Sequence, residues 1–509
     1  MPNVAVATTS SLAADAAAEI AEAGGNAVDC ALAAALLSIN TQPGVCALAG
    51  SAYVTVWLPG GNPVTIDGNV AIPGLGLPAD YENESAESVT MDYGAGITTL
   101  AGAGSVAVPG TVAAFEQCAN HYGSVPWRTL FEPSIRAARD GFPLSGASHY
   151  YLQYSGDCIF GRSDDGYRAL HDDHGALLPQ GSEIHLRGLA DSLDAIARDG
   201  AALFYEGELA HAMVDHVRER GGPLTLEDLR SFEAFERPCL TTEIGRWKMA
   251  TNPAPAVGGT VLTAMIDAFG RERLSQWGEE EIGRLIEVQR CCLDYRLRKL
   301  DLADDRYKAS AEMIALAMSG ELLSTWTSGS TVHTSAVDDS GLTCSITASS
   351  GYGAGEIPDG TGLWLNNCLG ELELNRRGLS AGPPGERLPS NMTPTVALSE
   401  NGAMSIGSPG ADRITTALHQ FLIHALQRGL SVEAAIAEPR VHVDTSGEAP
   451  RLMSEPGLAI PPTDLPHKAF DSLNMYFGGV AAVSVNTDGQ FEVGADLRRE
   501  GGIFITGGL

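Results

Sequence analysis

The sequence predicts an α+β fold in which helices dominate the first 320 residues and strands dominate the rest. Helical patterns fill most of residues 190–318, with interruptions at 221–223 and 253–259. From residue 331 onward, β-branched and small residues alternate as they do in strands. Apolar residues make up 44% of the 509-residue chain, which is enough for a large packed core and excludes a disordered protein.

The first hundred residues predict two helices and then a β-hairpin. An Ala-rich helix is expected over residues 10–22 and a second over residues 27–37. The second is apolar on most faces, which is typical of a buried helix. A hairpin should follow, in which residues 52–57 pair with residues 64–67. Residues 74–100 are rich in Gly, Glu and Ser and predict a loop.

A second predicted hairpin joins residues 331–337 to residues 342–347 through a turn of Asp, Ser and Gly. Turns rich in Gly, Ser or Asn follow it, at residues 352–355, 366–367, 389–395 and 407–410. Such turns present backbone N–H groups and short polar side chains, as a site that stabilises an oxyanion requires. The pattern ends with a helix over residues 414–429 and strands over residues 480–485 and 491–494.

The charge balance argues against several classes of partner. A net charge of −31 disfavours binding to nucleic acid or to anionic membranes. No run approaches the length of about 18 apolar residues that a membrane span needs, and the N-terminus lacks the pattern of a secretory signal. The nine cysteines include no Cys-x-x-Cys pair and are expected to be reduced thiols. Together these features predict a cytoplasmic protein.

Five short motifs, in this order, resemble the small subunit of the γ-glutamyltransferases. They are Thr331-x-His333-x-Ser335, Gly353-x-Gly355, Asn366-Asn367, Ser390-x-Met392-x-Pro394-Thr395 and Gly407-Ser408-Pro409-Gly410. Residues 24–29 similarly resemble a short motif in the large subunit of that family. The family belongs to the N-terminal-nucleophile (Ntn) hydrolases, so the resemblance implies a four-layer αββα sandwich. It also implies neither a metal nor an organic cofactor.

In such a fold the change of pattern near residue 320 marks a self-cleavage site within a single domain. The resemblance places the cut between Ser330 and Thr331. Residues 1–330 would then form a large segment and residues 331–509 a small segment that begins with the nucleophile. The two segments would remain together as a heterodimer.

A threonine at the start of a chain can be activated by its own α-amine. The hydroxyl is a weak nucleophile at neutral pH, but the free amine beside it has a pKa of about 8 and can accept its proton. The resemblance assigns this role to Thr331, although its local pattern also fits an ordinary strand threonine. Ser349 lies near the family positions that orient the nucleophile. His333 is interpreted as a packed strand histidine.

The resemblance assigns the oxyanion hole to the backbone N–H groups of Gly410 and Ala411. The family has a second glycine where Ala411 stands. Because only the N–H is needed, the alanine is harmless there if its φ is negative. The same residues also fit a turn that leads into the following helix, and both interpretations can hold together.

Contacts to a substrate carboxylate are altered relative to the family. Ser390 and Asn391 match two serines that hold this carboxylate, and Asn391 keeps a hydrogen-bond donor. Asn69 stands where the family has an arginine that pairs with the glutamyl α-carboxylate. An amide cannot equal that charge-assisted pair.

Contacts to the substrate amino group are altered as well, within residues 366–371. Asn367 is expected to line the site, Cys368 replaces a glutamine, and Glu371 replaces an aspartate but is longer. Three arginines could supply another partner for a carboxylate or could be ordinary surface residues: Arg376, Arg377 and Arg387.

The leading hypothesis is an enzyme that cleaves a γ-glutamyl or related small-molecule amide through a Thr331 acyl-enzyme, with transfer to water or to an amino acceptor. One alternative keeps the scaffold and changes the substrate, as in an amidohydrolase, an acylase or a C–C bond hydrolase of specialised metabolism. The other alternative is an unprocessed, non-enzymatic homologue.

Overall fold

Two antiparallel β-sheets, stacked face to face, form the centre of the protein, and helices cover the outer face of each sheet. The structure is a computed structural model that describes residues 2–78, 80–92, 96–322, 331–445 and 449–507. The four layers confirm the predicted α+β, αββα sandwich.

The elements run as follows along the described chain. The strands are β1 (Val4–Thr8), β2 (Ser51–Trp57), β3 (Val64–Gly68), β4 (Glu87–Met91), β5 (Ile97–Ala101), β6 (Phe142–Pro143), β7 (Glu183–Ile184), β8 (Phe235–Pro238), β9 (Leu240–Ile244), β10 (Trp247–Thr251), β11 (Val332–Asp338), β12 (Thr343–Ser349), β13 (Thr395–Ser399), β14 (Gly402–Gly407), β15 (Val441–Asp444), β16 (Arg451–Ser454), β17 (His467–Ala469), β18 (Ala481–Asn486), β19 (Phe491–Ala495) and β20 (Gly502–Ile505). The helices are α1 (Ser11–Glu22), α2 (Ala27–Thr41), α3 (Thr111–Tyr122), α4 (Trp127–Asp140), α5 (Gly146–Ser155), α6 (Asp164–Leu170), α7 (Leu189–Asp199), α8 (Ala201–Tyr205), α9 (Glu208–Glu219), α10 (Leu226–Arg230), α11 (Gly258–Phe269), α12 (Glu279–Tyr295), α13 (Arg306–Ser319), α14 (Arg413–Leu422) and α15 (Val432–Ala437).

Both sheets combine strands from before and after residue 330. In the described residues the first sheet has the order β20-β1-β11-β12-β2-β3-β8, and the second has the order β19-β18-β14-β13-β10-β9. The predicted hairpin, β11 and β12, lies between β1 and β2 in the middle of the first sheet. A cut at residue 330 would therefore leave two segments whose strands pair with one another in both sheets: β1 with β11 and β20, β2 with β12, and β10 with β13.

The two faces of β11 carry different side chains. Val332 and Ala336 belong to the apolar core beneath α1 to α4. Ser335 faces the second sheet, where its hydroxyl donates a hydrogen bond to the carbonyl of Ala481 at 3.0 Å. Because side chains alternate along a strand, Thr331 belongs to the same face as Ser335, between the two sheets.

Helix α2 is buried along its whole length, as predicted, and extends to Thr41. Asn26 caps it: Oδ1 of Asn26 accepts from the N–H groups of Val28 and Asp29, while the Asp29 carboxylate accepts from the Asn26 N–H. This capping box fixes where the helix begins. Helix α2 then packs over β11 and β12 and supports the strands that carry the predicted nucleophile.

Three predicted stretches were wrong in part. Residues 74–100 contain the hairpin β4–β5, whose Val89 and Met91 are buried between exposed neighbours; the Gly and Ser residues around it hide this alternation. Strands β8 to β10 interrupt the stretch predicted to be helical. The helix predicted for residues 414–429 is α14, followed by a π-helical turn over Ile423–Gln427. No helix among the described residues is long and apolar enough to span a membrane.

Candidate active site

Four polar residues lie side by side where four neighbouring strands of the first sheet begin or end. Ser51 pairs directly with Ser349. The pairing of Val332 with Ala348 places Thr331 beside Ser349, and the pairing of Ala52 with Gly68 places Asn69 beside Ser51. The sheet register thus produces the row Thr331, Ser349, Ser51, Asn69. Ser51 was not predicted as a site residue, although the predicted pairing of residues 52–57 with residues 64–67 places it beside Asn69.

This row forms one wall of a small buried cavity. The space open to the centre of a water-sized sphere is about 20 Å³, roughly the room that one water molecule needs. The cavity is lined by Thr331, Ser349, Ser51, Asn69, Cys368, Glu371, Ser390, Asn391 and Ala411, with Val70, Leu374, Pro389 and Met392 between them. Thr331 itself is 3% exposed. Ser330, on the other side of the predicted cleavage bond, lies outside the described residues.

Asn69 and Cys368 line the cavity as neutral groups. The Asn69 side-chain nitrogen donates to the carbonyl of Leu388 at 2.7 Å, so it holds the segment that leads to Ser390. Burial raises the pKa of the Cys368 thiol well above its ordinary value, and the nearby Glu371 adds to this shift. Neither side chain brings a positive charge to the cavity wall.

Asn391 is fixed by a buried chain of charged groups. Its Nδ2 donates to Oδ1 of Asp412 at 2.7 Å, and Nη1 of Arg296 donates to the same oxygen at 2.6 Å. Nε of Arg296 also donates to Asp301 at 3.1 Å. The donor that the sequence predicted on Asn391 is therefore already engaged by Asp412. Arg296, on a π-helical turn after α12, was missed because nothing in its local pattern distinguishes it from a surface arginine.

Glu371 is the one carboxylic acid in the cavity wall among the described residues. Burial raises its pKa well above the ordinary value, and the charges of Glu373 and Asp412 raise it further. Its Oε1 has no hydrogen-bond partner within the described part of the chain. Both effects disfavour the carboxylate form of Glu371 relative to a glutamate in water.

Ser390 is positioned by its backbone. Its carbonyl accepts hydrogen bonds from the N–H groups of Val257 and Gly258, at the start of α11. Its hydroxyl oxygen accepts from the N–H of Met392 at 3.3 Å. The hydroxyl proton remains available to a ligand in the cavity.

The predicted oxyanion residues form the turn before α14. Ala411 lines the cavity, and Gly410 precedes it. Their carbonyls accept from the N–H groups of Ile414 and Arg413, whereas neither of their own N–H groups donates within the described part of the chain. The φ of Ala411 is +65°, whereas an alanine is harmless at this position only if φ is negative. The structure does not meet that condition. The left-handed turn directs these N–H groups away from the helix ladder.

Asn367 lies behind the cavity rather than in its wall. Its Oδ1 accepts from the N–H of Tyr352 at 2.7 Å, and its Nδ2 donates to Thr99 and to the carbonyl of Leu100. The side chain is fully buried with its hydrogen bonds made, so in this structure it shapes the turn after Ser349. The cavity contains the neighbouring Cys368 instead.

His333 is packed, as predicted. Its ring nitrogens lie 2.9 Å from Oγ1 of Thr347 and 2.8 Å from Oγ of Ser335. Burial lowers the pKa of His333 to about 3, so the ring is neutral at working pH.

The three arginines do not line the cavity. Arg377 forms an ion pair with Asp304, and Arg376 is exposed. Arg387 is buried rather than at the surface, because its guanidinium stacks on Phe232 with 4.0 Å to the ring centre. A carboxylate partner from these residues therefore requires a rearrangement.

A threonine ahead of a central strand, on the face between two stacked sheets, is the arrangement of an Ntn hydrolase. A sequence model of the γ-glutamyltranspeptidase family matches residues 13–506. The chain belongs to the γ-glutamyltranspeptidase family, which confirms the resemblance found in its motifs.

The relatives carry two kinds of name. The glutathione hydrolase proenzyme of Escherichia coli K12 is 26% identical over 466 residues, covering 83% of this chain and 78% of that protein. The acylase ACY 1 proenzyme of Pseudomonas sp. strain SE83 is also 26% identical, over 535 residues, covering 99% of this chain and 94% of that protein. A cephalosporin acylase structure from Bacillus halodurans, 22% identical, aligns with a TM-score of 0.81 over 99% of this chain and 96% of its own, a likeness of fold.

Proposed function

We propose that this protein is a self-processing threonine hydrolase that cleaves a small-molecule amide through an acyl-enzyme. One observation carries the proposal. Thr331 heads a central strand inside a buried cavity, beside Ser349 and near the turn at Ala411, whose N–H groups have no partner in the described chain. A nucleophile, a residue that orients it and donors for an oxyanion are the parts that amide cleavage requires.

Maturation is the first reaction in this proposal. Oγ of Thr331 attacks the carbonyl carbon of Ser330, and the peptide bond between them breaks to leave an ester. The hydroxyl proton passes to the nitrogen, so this step already frees the α-amine of Thr331. Water then hydrolyses the ester to give the Thr331 hydroxyl and the carboxylate of Ser330. The products are segments of residues 1–330 and 331–509, and the pairing of strands from both segments within each sheet supports their staying together as a heterodimer.

Turnover repeats the same attack on a substrate. The α-amine of Thr331 accepts the hydroxyl proton as Oγ bonds to the amide carbon, and the N–H groups of Gly410 and Ala411 stabilise the resulting oxyanion. The intermediate collapses, the leaving amine takes the proton, and the acyl group remains on Thr331 as an ester. Water or an amino acceptor then releases it.

The cavity supports two assignments of the acyl group. Glu371 is a suitable partner for an amino group, and the Ser390 hydroxyl is a donor for a carboxylate. Together they favour a γ-glutamyl amide. The wall has no lysine or arginine among its described residues, which favours an acylase-like substrate without a free carboxylate. The reaction steps on Thr331 are the same for both.

A reducing, cytoplasmic location is also part of the proposal. All nine cysteines are free thiols. Free buried thiols are typical of proteins kept in a reducing compartment.

Denaturing electrophoresis and mass spectrometry of the purified protein test the proposal. We expect two bands of 330 and 179 residues and a new N-terminus at Thr331. Exposure to an activated amide such as a p-nitroanilide should release nitroaniline and add the acyl mass to the small segment on Thr331. A single full-length band together with no acyl adduct would support a non-enzymatic homologue instead.

A further inference from the structure

The wall of the cavity opposite the strand ends presents hydrogen-bond acceptors. Asp412 is a carboxylate that only accepts, so the Asn391 atom 2.7 Å from it must be the amide nitrogen. The amide oxygen, Oδ1, is then left without a partner in the described chain, although Asn391 is only 3% exposed. A buried acceptor with no donor is costly, so a ligand that supplies the donor is favoured.

Glu371 adds an acceptor to this wall, and Asp412, which is outside the cavity lining, has another next to Asn391. Glu371, also 3% exposed, has Oε1 without a partner, and Asp412 has Oδ2 without one. The two carboxyl groups are close enough for the charge of Asp412 to act on Glu371. Three oxygen atoms on neighbouring side chains therefore lack donors within the described residues.

The donors that a carboxylate would need are already engaged. Asn69 donates to Leu388, and Asn391 donates to Asp412. The nearest buried cation, Arg296, lies behind Asp412 and is paired with two carboxylates. Among the described side chains of this wall, the Ser390 hydroxyl still has a proton to donate, and one neutral hydroxyl does not compensate for taking a carboxylate out of water.

We propose that the cavity selects an acyl group that carries an amino group and rejects one that carries a carboxylate, an inference that rests on the function proposed above. The cavity has room for about one water molecule in this structure, so its walls move apart when the acyl group enters. The amino group then donates to Oδ1 of Asn391 and to the Glu371 carboxyl. The substrate class is then an amide of an amino acid such as 4-aminobutyrate, in which the amine stands where the cavity offers acceptors.

Four p-nitroanilides of one chain length separate the two groups. They are 4-aminobutyryl, which has only the amine; glutaryl, which has only the carboxylate; γ-glutamyl, which has both; and butyryl, which has neither. On the processed wild-type protein we expect kcat/KM to be highest for 4-aminobutyryl and about tenfold or more lower for glutaryl than for butyryl. Spontaneous lactam formation by the amine compound is subtracted using protein-free samples.

Two variants test the residues named. Glu371→Gln keeps the size but replaces one carboxyl oxygen by an amide nitrogen, which cannot accept a hydrogen bond, so the preference for 4-aminobutyryl over butyryl should fall about tenfold. Asn391→Ser replaces the engaged amide by a hydroxyl donor, so the ratio of γ-glutamyl to 4-aminobutyryl should rise. Asn401→Ser, the same change at an exposed turn, is the matched control and should leave both ratios unaltered.

The outcomes separate this inference from the proposed function. If the mature protein acylates Thr331 but turns over glutaryl or γ-glutamyl faster than 4-aminobutyryl, the inference is overturned while the function stands. If no anilide reacts, the thermal midpoint of the mature protein is measured with the corresponding primary amides: 4-aminobutanamide, glutaramate, glutamine and butanamide. The largest rise with 4-aminobutanamide supports the inference, and any other order contradicts it.

Discussion

The two walls of the cavity are held in place by different forces. Thr331, Ser349, Ser51 and Asn69 sit at the ends of adjacent strands, where backbone pairing fixes their positions. The opposite wall comes from separate loops and helix ends, and its Asn391 is bonded through Asp412 to the buried Arg296. The first wall thus depends on register and the second on buried charge, so the two should respond differently to mutation and to pH.

The largest expected effect tests the wall that carries the nucleophile. Thr331→Ala removes the attacking hydroxyl, so we expect an uncut chain and a loss of activity of about 10³-fold or more. Thr331→Ser retains a hydroxyl and should still be cut, although more slowly. Electrophoresis and an anilide assay measure both variants. Normal cutting of Thr331→Ala would move the nucleophile elsewhere and remove the basis for the comparison.

The next largest effect tests the wall held by charge. Arg296→Met leaves Asp301 and Asp412 buried without their cation, so the free energy of unfolding should fall by about 3–5 kcal/mol. Arg168→Met is the control: it breaks ion pairs with Asp164 and Asp165 on the exposed face of α6 and should cost about 1 kcal/mol or less.

Denaturant titration of the two arginine variants decides whether the buried chain stabilises this wall. Equal losses would show that Arg296 contributes no more than a surface arginine. In that case the position of Asn391 would have to depend on something other than the buried ion pairs.

The same contrast explains what could be read from the sequence. Alternation along residues 331–347 and the turn between them fix a register that follows from local pattern, so the place of Thr331 beside Ser349 was predictable. The Arg296–Asp412–Asn391 chain joins three segments that are distant in sequence, and no local pattern encodes such pairing. The direction in which Asn391 donates therefore became visible only in three dimensions.

A smaller effect, that of pH, distinguishes the strand that follows Thr331, where His333 is packed outside the cavity lining, from the opposite wall. Burial lowers the pKa of His333 to about 3, so unfolding, which lets it bind a proton, becomes easier as pH falls below about 6.5. At pH 5 the free energy of unfolding is lower by about 2 kcal/mol for this reason. Burial raises the pKa of Glu371, so unfolding, which lets it lose a proton, becomes easier as pH rises above its ordinary range.

Stability measured across pH should therefore separate the two variants. His333→Gln should reduce the slope of the free energy of unfolding against pH by about 1.4 kcal/mol per pH unit on the acid side. It should leave the slope on the alkaline side unchanged. Glu371→Gln should flatten the alkaline limb alone. The same change of slope in both variants would contradict the division between the walls.

The smallest effect concerns Ala411, where the two walls meet. Its φ of +65° costs an alanine about 1–2 kcal/mol, and glycine would relieve this while losing a buried methyl group and gaining freedom when unfolded. These contributions nearly cancel, so Ala411→Gly should change the free energy of unfolding by less than about 1 kcal/mol and preserve cutting. Ala411→Val places a β-branched residue in the same left-handed turn and should slow cutting, because the N–H could no longer keep its direction. Equal cutting rates in the glycine and valine variants would mean that this N–H does not stabilise the oxyanion.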